Sequence, residues 1–105
     1  MHKDHEKFVE AILQKKLVKI VFNSFQKGQI ERKCVPYDFA VSNKYKDRKV
    51  RYHFYDLDSP DSNHNLPVFP EQLISLEILA ESFNPEDFVS WTPRWTIKRD
   101  WGRYS

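Results

Sequence analysis

The stretch PEQLISLEILAESF (residues 70–83) decides between two folds. Pro70 and Glu71 suit the first turn of a helix, and the Gln, Leu, Glu and Ala that follow favour helical backbone. Yet Ile74, Leu76, Ile78 and Ala80 alternate with Ser75, Glu77 and Leu79, a period of two that lays an apolar side on a sheet. A turn at 70–73 and a strand at 74–82 make the chain mainly β; a helix there makes it an α+β sandwich. The strand is the expectation, with the helix as its alternative.

Upstream, the period of two recurs. In LVKIVFNS (17–24), Val18, Ile20 and Phe22 alternate with Lys19 and Asn23, which predicts a strand. FQKGQ (25–29) follows with Gly28 as the turn residue. IERKCVPYDFAV (30–41) has Val35, Tyr37, Phe39 and Val41 on one side, and Pro36 within it predicts an edge position or a bulge. SNKYKDRK (42–49) reads as a basic hairpin loop, and VRYHFYDLD (50–58) as an aromatic-rich strand. SPDSNHNLP (59–67) reads as a long polar turn, while LPVFP (66–70) is too short to decide alone. Before all of these, Asp4 can cap a helix whose Phe8, Val9, Ile12 and Leu13 form one apolar stripe, ending at Lys15 or Lys16.

One domain accommodates 105 residues: a helix at about 4–16, a barrel at about 17–83 and a tail at 84–105. The expected class is mainly β with an N-terminal helix (α+β), as an antiparallel, partly open SH3-like barrel. In the tail, NPEDF (84–88) predicts a helical turn capped by Asn84, with Pro85 in its first position. WTPRWTIKRDWGRYS (91–105) carries all three tryptophans. Trp91, Pro93, Trp95, Ile97 and Trp101 fall on one side, interrupted by Arg99, while Thr92, Arg94, Thr96, Lys98 and Asp100 fall on the other. A nucleic-acid platform needs rings and cations on the same side, so this pattern predicts a structural tail, with Trp95 and Ile97 packed on the core.

The net charge of +2 hides an asymmetry: residues 1–51 carry +7, residues 52–93 carry −8, and residues 94–105 carry +3. A dedicated duplex-binding domain has a larger basic excess. With two glycines, no phosphate loop can be built, and the lone Cys34 fits a reducing cytoplasm. The N-terminal segment lacks a signal-peptide core, and no apolar run approaches the ~20 residues that span a bilayer. His2, His5, His53, His64 and Cys34 show no clustered metal-ligand spacing. Asp56, Asp58 and Asp61 lack the glycine and distal Glu of a calcium loop. A Cys34–His53 pair on neighbouring strands is the nearest approach to a nucleophile and base. No metal, cofactor or enzymatic activity is expected.

The chain from about residue 10 to 88 resembles the WYL domains, small SH3/Sm-like barrels. A short helix precedes KIVFNSFQKGQIERKCVPYDF (19–39), which is similar to the family's opening strand, turn and Arg-containing strand. VRYHFYDLD stands where the naming strand lies, without the Trp-Tyr-Leu triplet and with His53-Phe54-Tyr55 or Tyr52-His53-Phe54 in its region. NHNLPVFPEQL (63–73) carries no arginine where the family has an arginine-rich run. The resemblance implies a regulatory module that senses an anionic ligand or nucleic acid. Fewer than 20 residues precede the first strand, so it implies a stand-alone module without a helix-turn-helix. Arg32 and Lys33 match its basic strand position, and Tyr52 and Tyr55 lie near its named strand. Arg48, Lys49 and Arg51, from the basic hairpin, complete the expected binding set. The alternative is a protein-interaction or self-associating module that uses a strand edge or the acidic stretch 56–87.

Overall fold

The structure, a computed structural model, describes residues 2–42 and 44–105. Helix α1 (His5–Gln14) leads into strands β1 (Lys16–Ser24), β2 (Gly28–Val41), β3 (Val50–Asp56), β4 (His64–Val68) and β5 (Leu73–Ser82). They form one antiparallel sheet in the order β4-β3-β2-β1-β5. The first and last strands of this order are consecutive in sequence, joined only by residues 69–72. Across a flat sheet those edges would stand ~19 Å apart, at four spacings of ~4.8 Å. A tight turn closed by Gln72 N–H on the Phe69 carbonyl (2.9 Å) cannot span that distance. The sheet therefore curls until its edges approach, and the turn docks on the end of β1 through Asn23 N–H to the Gln72 carbonyl (2.8 Å). The fold is mainly antiparallel β with an N-terminal helix, a partly open small barrel.

Residues 70–83 resolve to the turn and strand. Leu73 and Leu76 are buried and Ile78 packs against the core, while Ser75 and Glu77 are exposed. Irregularities opposite Val21–Phe22 and Lys16–Val18 shift the alternation, so Leu73 turns inward and Ala80 outward. Pairing decides the conformation. Strand β1 carries inward Val18, Ile20 and Phe22, and β5 covers its second edge.

Three local expectations change. Strand β4 occupies His64–Val68, where the sequence reads as a polar turn; its register on β3, from Tyr52↔Val68 to Asp56↔His64, supplies the order. As an edge strand it tolerates Pro67. Helix α1 ends at Gln14 because Lys15 adopts a left-handed conformation (φ 55°). Asp4 does not cap it with its side chain. Its carboxylate instead accepts from Leu76 N–H of β5 (3.1 Å), pinning the helix start to the sheet edge. Finally, the shared side expected for Val35, Tyr37, Phe39 and Val41 is broken by a bulge between Pro36 and Asp38. Phe39 turns inward against Tyr52 (ring centroids 4.3 Å), and Val41 is exposed.

One side of the sheet is covered by α1, whose Phe8 meets Tyr52 and Phe54 at centroid distances of 4.8 and 5.4 Å. The alternating residues of β3, His53 and Tyr55, face the other side, where His53 meets Tyr37 and Tyr55 is covered by Phe88 of the tail. The turn at Pro85–Asp87 has Asn84 accepting from Glu86 N–H (3.3 Å), as expected from its sequence. The radius of gyration, 12.9 Å, is that of a compact chain of this length, so the tail lies on the body. Among the described residues, no helix is long and apolar enough to cross a membrane.

Candidate functional site

The bulge in β2 builds the site. An extra residue in one strand lets two successive side chains share a face opposite one partner residue. Here Tyr37 and Asp38 both turn to the tail side, opposite His53. Asp38 is nearly buried, and its carboxylate captures backbone. It accepts from Thr96 N–H (3.0 and 3.2 Å) and Ile97 N–H (3.0 Å). The Arg99 guanidinium stands 3.5 Å from the same carboxylate, its carbon 4.2 Å from the Trp95 ring centroid and 4.4 Å from that of Trp101. Arg99 also donates from Nε and Nη2 to the Ile97 carbonyl (3.1 and 2.9 Å), and its Nη1 has no hydrogen-bond partner among the described residues. Burial pushes Arg99 down to about 10, with Asp38 opposing, so it remains a cation at neutral pH.

Trp101 is the deepest of the three indoles, and its Nε1 donates to the Ile12 carbonyl at the end of α1 (2.9 Å). That bond adds to the one the same carbonyl accepts from Lys15 N–H (3.3 Å) at the helix C-cap. Trp95 is half-buried and donates to the Tyr104 carbonyl (2.7 Å). Trp91 is 41% exposed. Burial along the tail thus alternates with the expected period but deepens toward Trp101 rather than Trp95.

At its shallow end the tail borders a solvent-open groove of about 610 Å³. Its floor is Tyr37, Ala40 and His53, with Asn65 of β4 beside them. One wall is Trp91, Arg94 and Trp95, and the other is Val41, Ser42 and Lys44. Tyr37, Trp91 and Trp95 lie 5.9–6.1 Å apart between centroids, at 60–74° between planes. Rings in mutual contact leave no space among them for a quaternary ammonium, and Lys44 and Arg94 oppose any cation. The groove offers aromatic surface and positive charge together. His53 Nε2 pairs with the Ala40 carbonyl (2.9 Å), and burial lowers its pKa below the ordinary value.

The seven residues expected to bind are not gathered there. Arg32 stands 3.3 Å from buried Asp56, and Lys33 donates to Glu81 (3.1 Å), both in the first half of β2. Tyr52 is fully buried; its hydroxyl accepts from His2 N–H (3.1 Å) and meets His5 Nδ1 (2.9 Å), so no ring face is free. Tyr55 stacks on Phe88 at 5.7 Å. Arg51 is nearly buried, bidentate to Asp47 (2.8 and 3.1 Å) and stacked between Tyr45 and Phe69. Arg48 and Lys49 are exposed on the same hairpin. Cys34 and His53 face opposite sides of the sheet: Cys34 is opposite Asp56, fully buried, with its thiol pKa pushed well up by burial. Asp56 accepts from Asp58 N–H (2.8 Å), which is turn chemistry.

Sequence reasoning missed Tyr37, Asp38, His53, Asn65 and Arg94. The legible signal was an acid inside the apolar run VPYDFAV, two residues after a proline that reads as an edge position or a bulge. Compared with known proteins, the chain matches no family model and no curated protein sequence.

Proposed function

We propose that this protein is a non-enzymatic binding module for anionic, ring-bearing ligands of the nucleotide or single-stranded nucleic acid class, and that the groove is its site. The supporting observation is the joint placement of Tyr37, Trp91 and Trp95 with Lys44 and Arg94 around one open recess. Trp91 supplies an accessible stacking face, and the two cations stand on opposing walls where phosphate oxygens would lie. A recess suits a single splayed base better than a stacked duplex. Kinship with WYL-like regulatory domains belongs to the same proposal, supported by the order of a helix followed by a small antiparallel barrel.

The test is titration with a nucleoside monophosphate and with oligothymidylate at low salt, following tryptophan emission and amide shifts. Emission should quench, with shifts at Tyr37, His53 and residues 91–96. Trp91→Ala should weaken binding roughly 5- to 150-fold, the ~1–3 kcal/mol of one base–aromatic stack. Silence up to millimolar ligand ends the proposal. Capture of a protein partner with no response to nucleotides would favour the strand-edge alternative. That alternative has β4 as its freer edge, since Asp4 already occupies Leu76 N–H on β5.

A further inference from the structure

Residues 44–49, ahead of β3, have a second aromatic side. The tight turn after β4 and the turn after β1 meet them at one end of the barrel. Phe69 lies 6.3 Å from Phe25, and the Arg51 guanidinium lies 4.0 Å from Phe69 and 4.3 Å from Tyr45. Held by bidentate Asp47, Arg51 is a fixed plane that orients both rings. Phe25 is 77% exposed and Tyr45 39% exposed. Lys44, Lys46, Arg48 and Lys49 surround them, all exposed, and none makes an ion pair among the described residues. Of the nearby acids, Asp47 is consumed by Arg51, leaving Glu71. Lys44 belongs to both regions: it lines the groove, and its Nζ lies 5.6 Å from the Tyr45 ring.

We infer that the ligand is a single strand of several nucleotides rather than a mononucleotide, running from the groove over the hairpin to Tyr45 and Phe25. This rests on the groove's reading as a nucleotide site and extends it. The groove takes one base, Lys44 bridges, and the free cations follow the backbone while the exposed rings take further bases. A run of alternating cations and rings without a hydrogen-bonding floor is sequence-tolerant.

The experiment compares thymidine monophosphate with oligothymidylates of increasing length, for the parent protein, Phe25→Ala and Lys49→Ala. Affinity should rise with length until about four or more nucleotides are bound, the lower end of site sizes for small barrels. Phe25→Ala should leave monophosphate affinity unchanged and lose ~5-fold or more for the longer strands. Lys49→Ala should reduce the slope of log affinity against log salt by about 0.7 for long strands only. Equal affinity for monophosphate and long strands overturns the inference while leaving the groove intact. Binding of neither ends both. Binding of anionic lipid vesicles that Phe25→Ala abolishes, with no gain from strand length, also overturns it.

Discussion

Two arginines in this molecule sit in the same local arrangement, each between two aromatic rings and against one aspartate. Arg99 lies between Trp95 and Trp101 and faces Asp38; Arg51 lies between Tyr45 and Phe69 and faces Asp47. They differ in what they connect. Asp47 is four residues from Arg51 and 36% exposed, so that pair shapes one loop. Asp38 lies on β2, far from Arg99 in sequence, and both side chains are at least nine-tenths buried, so that pair fixes the tail to the sheet. The same chemistry is a local brace where water competes and a global fastener where it does not.

Deleting residues 91–105 probes the fastener most severely: it strips Trp91 and Trp95 from Tyr37 and removes buried Trp101 with its bond to the Ile12 carbonyl, so cooperative unfolding should vanish from a thermal melt. Next is Arg99→Ala. Leaving Asp38 buried without its cation should cost about 3–5 kcal/mol, and Trp101→Ala a similar ~3–5 kcal/mol through its cavity. In a cycle with Asp38→Asn and Arg99→Met, chemical denaturation of the double variant should show a smaller loss than the two single losses added. Additive losses would mean that the pair acts independently and the comparison fails. By contrast Arg51→Ala should lower the melting temperature less than Arg99→Ala and weaken long-strand binding, because the aspartate it leaves behind is 36% exposed and can be hydrated.

Two pH effects sharpen the contrast at smaller amplitude. Burial lowers the pKa values of His53 and His5 below their ordinary 6.5. The unfolded chain therefore takes up protons first, and stability present above about pH 6.5 declines as the solution is acidified. His53→Gln should remove part of that slope between about pH 7 and 5. The Asp47 carboxyl is held down to about 2, first by Arg51 and then by Lys49 N–H. Its contribution exists above the unfolded value of 3.8 and disappears as pH falls toward about 2. Hairpin amide shifts should therefore stay constant down to about pH 4.

The amino-acid sequence by itself determined the β-dominated class, a helix within about 4–16, strands within 17–24, 30–41 and 50–58, an edge position or bulge at Pro36, and the two-residue period of the tail. Each follows from neighbouring side chains alternating between apolar and polar, or from a backbone restriction in a single residue. Only the tertiary structure decided the rest. His64–Val68 is a strand because β3 offers it a ladder. Tyr52 is core because α1 covers its side of the sheet, whereas Asp38 joins Tyr37 on the tail side because one inserted residue reverses the parity of the strand beyond it. Arg99, which interrupts the apolar side of the tail on paper, is buried because Asp38 and two indoles close around it. Charge compensation and ring stacking across some 60 residues leave no mark on local periodicity, so they become legible only when the chain is folded.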